Sequence, residues 1–198
     1  IIENAEAIAM ETFDPFALDL LASESIFLPE FEAGLMVEIT ENDEVLLTLR
    51  DQAVAGGLRD KTTLLSDFDS LTLFPDKSTN QLEIADVPYG VGWWWEGKET
   101  RLYEGTIEVV LNDANRLNVI VELPVEEYLR GVVPSEIGPS APEEALKAQA
   151  VAARSETITA LRERVYEGPG YDICADVNCQ VYAGVGRRNE NTDDAIKA

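Results

Sequence analysis

GVVPSEIGPSAPEEALKAQAVAARSE, residues 131–156, carries the clearest helical patterning of a chain whose character changes from strand-like to helical after Glu122. Ser140 and Glu143 have the Ser-x-x-Glu spacing of a capping box, and Pro142 falls in the first turn. The run EALKAQAVAARSETITALRERV follows, predicting a long helix that ends near residues 166–168. Alanines at 145, 148, 150, 152 and 153 nearly encircle it, which predicts a central helix packed on several sides. Lys147 and Arg154 are seven residues apart and share a face, a cationic stripe suited to a carboxylate of the protein or of a ligand. Just upstream, Pro124 opens a short helix over VEEYLRGV, with Val125, Tyr128 and Leu129 on one face. Between the two helices, Glu136 is expected in an apolar loop, flanked by Val132, Val133, Pro134 and Ile137. Shielding of that kind favours the protonated form of a carboxyl, and a protonated carboxyl near neutral pH can serve as a general acid.

The preceding part of the chain reads as β structure. LMVEI and VLLTL, either side of an acidic turn, predict a hairpin over residues 35–49. Further short strands are expected at 71–74, 81–84, 92–95, 106–111 and 117–121, with Asn112 to Asn115 turning the last pair. Residues 17–22 read as a turn or two of helix, interrupted on either side by Pro15 and Pro29. The expected fold is α+β, with a β-rich region over residues 1–100 and a region bearing the helices over 101–198.

Composition excludes whole classes of chemistry. Histidine is absent, so Ser-His-Asp and Cys-His catalysis and imidazole-held zinc sites are impossible. The 15 basic and 38 acidic residues give 15 − 38 = −23, which argues against nucleic acid or an anionic membrane as partner. An anionic substrate would need a local cationic patch. No apolar run approaches the length of a membrane span, and a first residue of Ile1 rather than Met reads as a piece of a longer precursor, with any export signal upstream. The two cysteines, Cys174 and Cys179, permit a small disulfide-closed loop, free thiols or half of a metal site. Trp93, Trp94 and Trp95 supply indole faces for core or for a sugar ring.

From about Arg101 the chain resembles the catalytic domain of SpoIID-type lytic transglycosylases, the stage II sporulation protein D and LytB amidase-enhancer family. RLYEGTIEVVLNDANRLNVIVELPVEEYLRGVVPSEI, EALKAQAVAARS, DICADVNCQVYAG and TDDAIKA carry the likeness, in that order. The resemblance implies that Glu136 is the catalytic acid and base, that Lys147, Gln149 and Arg154 support substrate binding, and that Gln180 and Tyr182 belong to the groove. It implies cleavage of the β-1,4 bond between N-acetylmuramic acid and N-acetylglucosamine in peptidoglycan, with the substrate's own C6 hydroxyl as nucleophile and a 1,6-anhydro end as product. One carboxyl then suffices, where an ordinary glycosidase needs two. The implied partners are peptidoglycan glycan strands and a cell-wall amidase, in an extracytoplasmic location, without cofactor. Some members hold zinc through the cysteine pair and a nearby histidine, but Asn178 stands before Cys179 here. In the family the domain continues past the point matching TDDAIKA, which implies a shortened copy. Two other functions fit the residues: a non-catalytic enhancer of an amidase, and a two-carboxylate hydrolase using Asp172 or Asp176.

Overall fold

A computed structural model describes residues 2–5, 7–11, 16–21, 26–31, 34–39, 45–51, 59–65, 68–75, 77, 79–166, 170–175 and 177–198. Strands occupy the N-terminal part and helices the C-terminal part, the α+β arrangement expected from the patterning. The chain forms two compact units, one of residues 2–88 and 98–122, the other of residues 89–97 and 123–198.

The first unit is built from β1 (Ile2–Ala5), β2 (Ala7–Glu11), β3 (Phe16–Leu21), β4 (Ile26–Phe31), β5 (Gly34–Ile39), β6 (Val45–Asp51), β7 (Arg59–Leu65), β8 (Ser70–Pro75), β9 (Leu82–Tyr89), β10 (Gly97–Tyr103), β11 (Thr106–Leu111) and β12 (Leu117–Glu122). They form two six-stranded sheets, in the orders β1-β12-β11-β8-β3-β4 and β10-β9-β2-β5-β6-β7. Alternation puts one face inside: Val109 pairs with Leu71 on one side and Val119 on the other, and all three are buried. The predicted hairpin of residues 35–49 is β5 paired with β6, Met36 opposite Thr48. The turn between β11 and β12 is as expected. Asn112 Oδ1 accepts the N–H groups of Ala114 and Arg116 at 2.9 and 3.1 Å, a side-chain mimic of a backbone turn.

Two local expectations fail here. Residues 17–21 lie in β3 rather than in helix, and residue 22 lies outside the described residues; Leu20 pairs with Leu71 of β8 and Ile26 of β4, so ladder partners on both sides outweigh a weak helical pattern. Residues 92–95 are not a strand. Gly90 and Gly92 adopt positive φ, and Trp93 N–H donates to the Gly90 carbonyl at 2.9 Å, folding the segment into tight turns.

The second unit holds α1 (Val125–Glu136), α2 (Glu143–Glu163) and α3 (Glu190–Lys197). Along α2 the buried positions are Leu146, Ala150, Ala153, Thr157 and Ala160, one stripe at helical spacing. The expectation of burial on several sides is therefore corrected, since Ala148 and Ala152 are exposed. The capping box is also absent. Pro142, in extended conformation, is the N-cap, and its carbonyl receives Ala145 N–H at 2.8 Å and Leu146 N–H at 3.0 Å, leaving Ser140 too far upstream to cap. The helix ends earlier than expected, at Glu163, on the left-handed Arg164. Helix α3 is capped by Asn189, whose side chain accepts Asn191 N–H at 3.0 Å. No helix among the described residues is long and apolar enough to cross a membrane.

Candidate active site

Glu136 is the last residue of α1 rather than part of a loop. The helix runs through Pro134 because a proline this close to its end forfeits only one ladder bond, while Ser135 Oγ–H donates to the Gly131 carbonyl at 2.7 Å and Ile137 N–H reaches the Val133 carbonyl at 3.2 Å. Gly138, at φ +78°, then turns the chain away. The flanking valines point into the core: Val132 and Val133 are fully buried, whereas Glu136 is exposed. The expected shielding of the carboxyl by those neighbours is thus not present. What holds it instead is one hydrogen bond, Val181 N–H to Glu136 Oε1 at 2.8 Å.

That bond joins α1 to the segment that follows α2. Cys174 and Cys179 form a disulfide with Cα atoms 5.8 Å apart, which decides among the three expected states of the pair. Tyr182 N–H donates to the Ala175 carbonyl at 3.3 Å across the same loop. Gln180 is buried and ties the loop to α2: it accepts from Thr157 Oγ1 at 2.8 Å and donates to the Ala153 carbonyl at 3.2 Å and to Glu156 Oε2 at 3.4 Å. Tyr182 is buried against Tyr128 of α1, ring centroids 5.1 Å apart. Gly131 makes this approach possible, since a Cβ there would collide with the Tyr182 ring and with the Gly184 carbonyl oxygen. Gln180 and Tyr182 therefore act as struts that place the Val181 amide at Glu136.

Loss of the disulfide should loosen that placement. A loop this short contributes about 2 kcal/mol through chain entropy. The expected result for Cys174→Ser with Cys179→Ser is a lowered melting temperature and a weakened Val181 amide bond, seen as faster hydrogen exchange at Val181 than in the wild-type chain.

The cations of α2 do not converge on Glu136. Lys147 pairs with Glu143 at 2.6 Å and Glu144 at 3.1 Å, on the exposed first turn. Its ammonium is pushed up by hydrogen bonds to those two carboxylates. Arg154 grips Glu126 of α1 with Nε and Nη2, both at 2.8 Å, and Nη2 also donates to the Ile196 carbonyl of α3 at 2.7 Å. The Arg154 hydrogen bonds hold the Glu126 carboxyl below its ordinary range. The shared face expected of Lys147 and Arg154 thus serves two separate internal ion pairs. Gln149 is half-buried on the same helix. Arg130 pairs with Glu127 and Asp193, and Arg188 with Glu127 at 2.9 Å, fastening α3 to α1.

Two residues near Glu136 carry no signal in sequence. Tyr128 is buried, and its phenol is pushed well above the ordinary range, first by burial and then by the charges of Glu136 and Glu156. Glu156 lines an open groove of about 270 Å³ with Ser155, Thr159, Ala160, Val165 and Tyr166. Asp172 is exposed, and Asp176 lies outside the described residues. Among the described residues no cluster of three potential metal ligands occurs.

In the same compact unit, the loop of residues 90–96 presents tryptophans to solvent: Trp94 is 94% exposed and Trp93 57%. The loop is braced by Gly92 N–H to Glu96 Oε2 at 2.7 Å, and Trp95 stacks on Tyr89 at 6.3 Å between centroids.

Residues 113–198 match the family model described as SpoIID, Stage II sporulation protein. A protein of Brachyspira hyodysenteriae described as uncharacterized is 38% identical over 78 residues, which are 39% of this chain and 21% of that protein. The chain therefore spans about a fifth of that relative's length. No solved structure matches it. Residues 113–198, which contain Glu136, the three helices and the disulfide loop, are thus the part of the chain that is similar to the SpoIID family, stage II sporulation protein.

Proposed function

We propose that the chain is a peptidoglycan lytic transglycosylase, with Glu136 as its single acid and base. The observation that carries this reading is the state of the Glu136 carboxyl: exposed, held on one oxygen by the Val181 amide, and tied up in no ion pair among the described residues. Proton transfer needs a carboxyl that is oriented yet open on its other oxygen. Glu136 would give its proton to the glycosidic oxygen as the bond from the muramic acid C1 breaks. The C6 hydroxyl oxygen of the same sugar then bonds to C1, and its proton passes to the carboxylate, restoring the acid. The product is a 1,6-anhydro end and a free 4-hydroxyl on the departing sugar. Absence of histidine suits this route, because the nucleophile comes from the substrate.

Lys147, near the surface and paired with two exposed glutamates, can exchange Glu143 for the carboxylate of muramic acid or of a stem peptide. Arg154 supports the site indirectly, by locking α1, α2 and α3 together. The disulfide fits an oxidising, extracytoplasmic compartment. Mass spectrometry of glycan strands after digestion tests the reading: anhydro ends support it, and reducing ends would replace it with two-carboxylate hydrolysis.

The tryptophan loop fits a role in holding the strand, since indole faces stack on sugar rings and the braced turns keep Trp94 outward. A lost aromatic contact is worth about 0.5–1.5 kcal/mol. Trp94→Ala should therefore raise KM by about 2- to 10-fold with kcat unchanged. Steady-state kinetics on soluble glycan strands check it.

A second reading, an enhancer that docks a cell-wall amidase, is favoured by one observation: Val151, Ile158, Leu161 and Val165 are exposed along one side of α2 and just beyond it. It predicts stimulation of the amidase that survives Glu136→Gln.

A further inference from the structure

The Tyr128 hydroxyl is closed off from solvent and has no hydrogen-bond partner, on a side chain only 9% exposed. A buried hydroxyl left unmade costs about 1–3 kcal/mol, so such a group in a folded protein calls for an explanation. Its ring is fixed by packing on Tyr182, at 5.1 Å between centroids. The hydroxyl is therefore not a loose end that can swing to water.

Its surroundings narrow the partner. Tyr182 follows Val181, whose N–H holds Oε1 of Glu136 at 2.8 Å, so the phenol and the carboxyl are anchored to adjacent residues of one segment. Both also stand on α1, two turns apart. Two carboxylates act on the hydroxyl electrostatically, Glu136 and Glu156. The oxygens of Glu156 are already engaged, Oε2 by Gln180 Nε2 and Oε1 by the Tyr166 hydroxyl, each at 3.4 Å. Oε2 of Glu136 is left as an acceptor, on an exposed side chain at a helix end. Burial keeps Tyr128 protonated and hence a donor.

We infer that Tyr128 is a positioning residue of this site, whose hydroxyl donates to Oε2 of Glu136 when that side chain rotates inward while the Val181 amide keeps Oε1. The inference deepens the transglycosylase reading and rests on it for its catalytic meaning. The bond is charge-assisted, and therefore strongest, when Glu136 has given its proton to the leaving sugar and has not yet taken one from the C6 hydroxyl. Tyr128 then stabilises the site between the two proton transfers without exchanging a proton itself.

Labelling the tyrosines of the full chain with ¹³C at Cζ gives a readout independent of turnover. With the carboxylates ionised, Glu136→Gln should move the Tyr128 Cζ resonance clearly farther than Glu156→Gln, whose charge acts on the hydroxyl without a hydrogen bond, and equal shifts would overturn the inference. An unmoved resonance in Glu136→Gln, or one that moves only in Glu156→Gln, overturns the inference. This arm decides even where no glycan cleavage is found, so its failure is distinct from failure of the transglycosylase reading. Where cleavage is found, Tyr128→Phe, which retains the ring packed on Tyr182, should lower kcat about tenfold. KM should stay within about twofold of wild type, and the acid limb of the kcat–pH profile should move. Wild-type kcat and pH profile in Tyr128→Phe would overturn it equally.

Discussion

Glu136→Gln is expected to eliminate the release of anhydro-ended muropeptides, with a fall in kcat on the order of 10²–10⁴-fold. The substitution is close to isosteric, and the amide oxygen can still accept the Val181 N–H that now binds Oε1 at 2.8 Å. What disappears is the acidic proton of the carboxyl. Because the side chain is exposed, the effect on stability should stay within about 0.5 kcal/mol, so a lost activity cannot be assigned to unfolding. KM should change little, since the step removed lies after binding. Mass spectrometry of sugar termini, set beside a thermal melt of the same sample, measures both sides. Equal anhydro release by wild type and Glu136→Gln would end the transglycosylase reading, and retained amidase stimulation would put the enhancer in its place.

Gly131→Ala should destabilise the helical unit by about 1–3 kcal/mol, a fall in melting temperature of several degrees for a chain of this size. Ordinary helix energetics point the other way, since alanine inside a helix is favoured over glycine by about 0.5–1 kcal/mol. Packing decides the sign. A Cβ at this position would lie 2.6 Å from the Gly184 carbonyl oxygen and collide with the Tyr182 ring, and a backbone atom cannot step aside as a flexible side chain can. Relief requires the segment bearing Tyr182 to back away from α1, carrying the Val181 amide off Glu136. Activity should therefore fall further than stability alone explains, measured well below the melting temperature. A stabilised Gly131→Ala variant would show that the 182–184 segment does not press on α1.

The parts of the fold that were legible in sequence are those governed by local chemistry. Asn112 writes its own turn by accepting two backbone N–H groups within four residues, and the strands on either side follow. Helix α2 is legible because its alanine-rich composition favours no alternative. Where neighbours in space compete with local preference, sequence misleads. Residues 17–21 are drawn into β3 by β4 and β8, and the tryptophan run is folded into turns by glycines at positive φ rather than extended as its β-prone residues suggest. The capping box fails for a local reason: Pro142, not Ser140, supplies the carbonyl from which the helix starts.

The same division holds at the site. Sequence by itself limited the chemistry available, because a chain without histidine excludes imidazole catalysis and imidazole-held zinc, and residue identity is fixed before folding. It also determined that Cys174 and Cys179 could meet, five residues being a short enough span. Only the tertiary structure decided which groups serve Glu136. Its hydrogen-bond partner is a backbone amide 45 residues away, and backbone amides leave no trace in a sequence. Tyr128 looks like any helical tyrosine until folding puts it in reach of the charges of Glu136 and Glu156, while Lys147 and Arg154, which share a helical face, are claimed by Glu143, Glu144 and Glu126. Periodicity says which side chains share a face; the packing of α1, α2 and the disulfide loop says what that face meets.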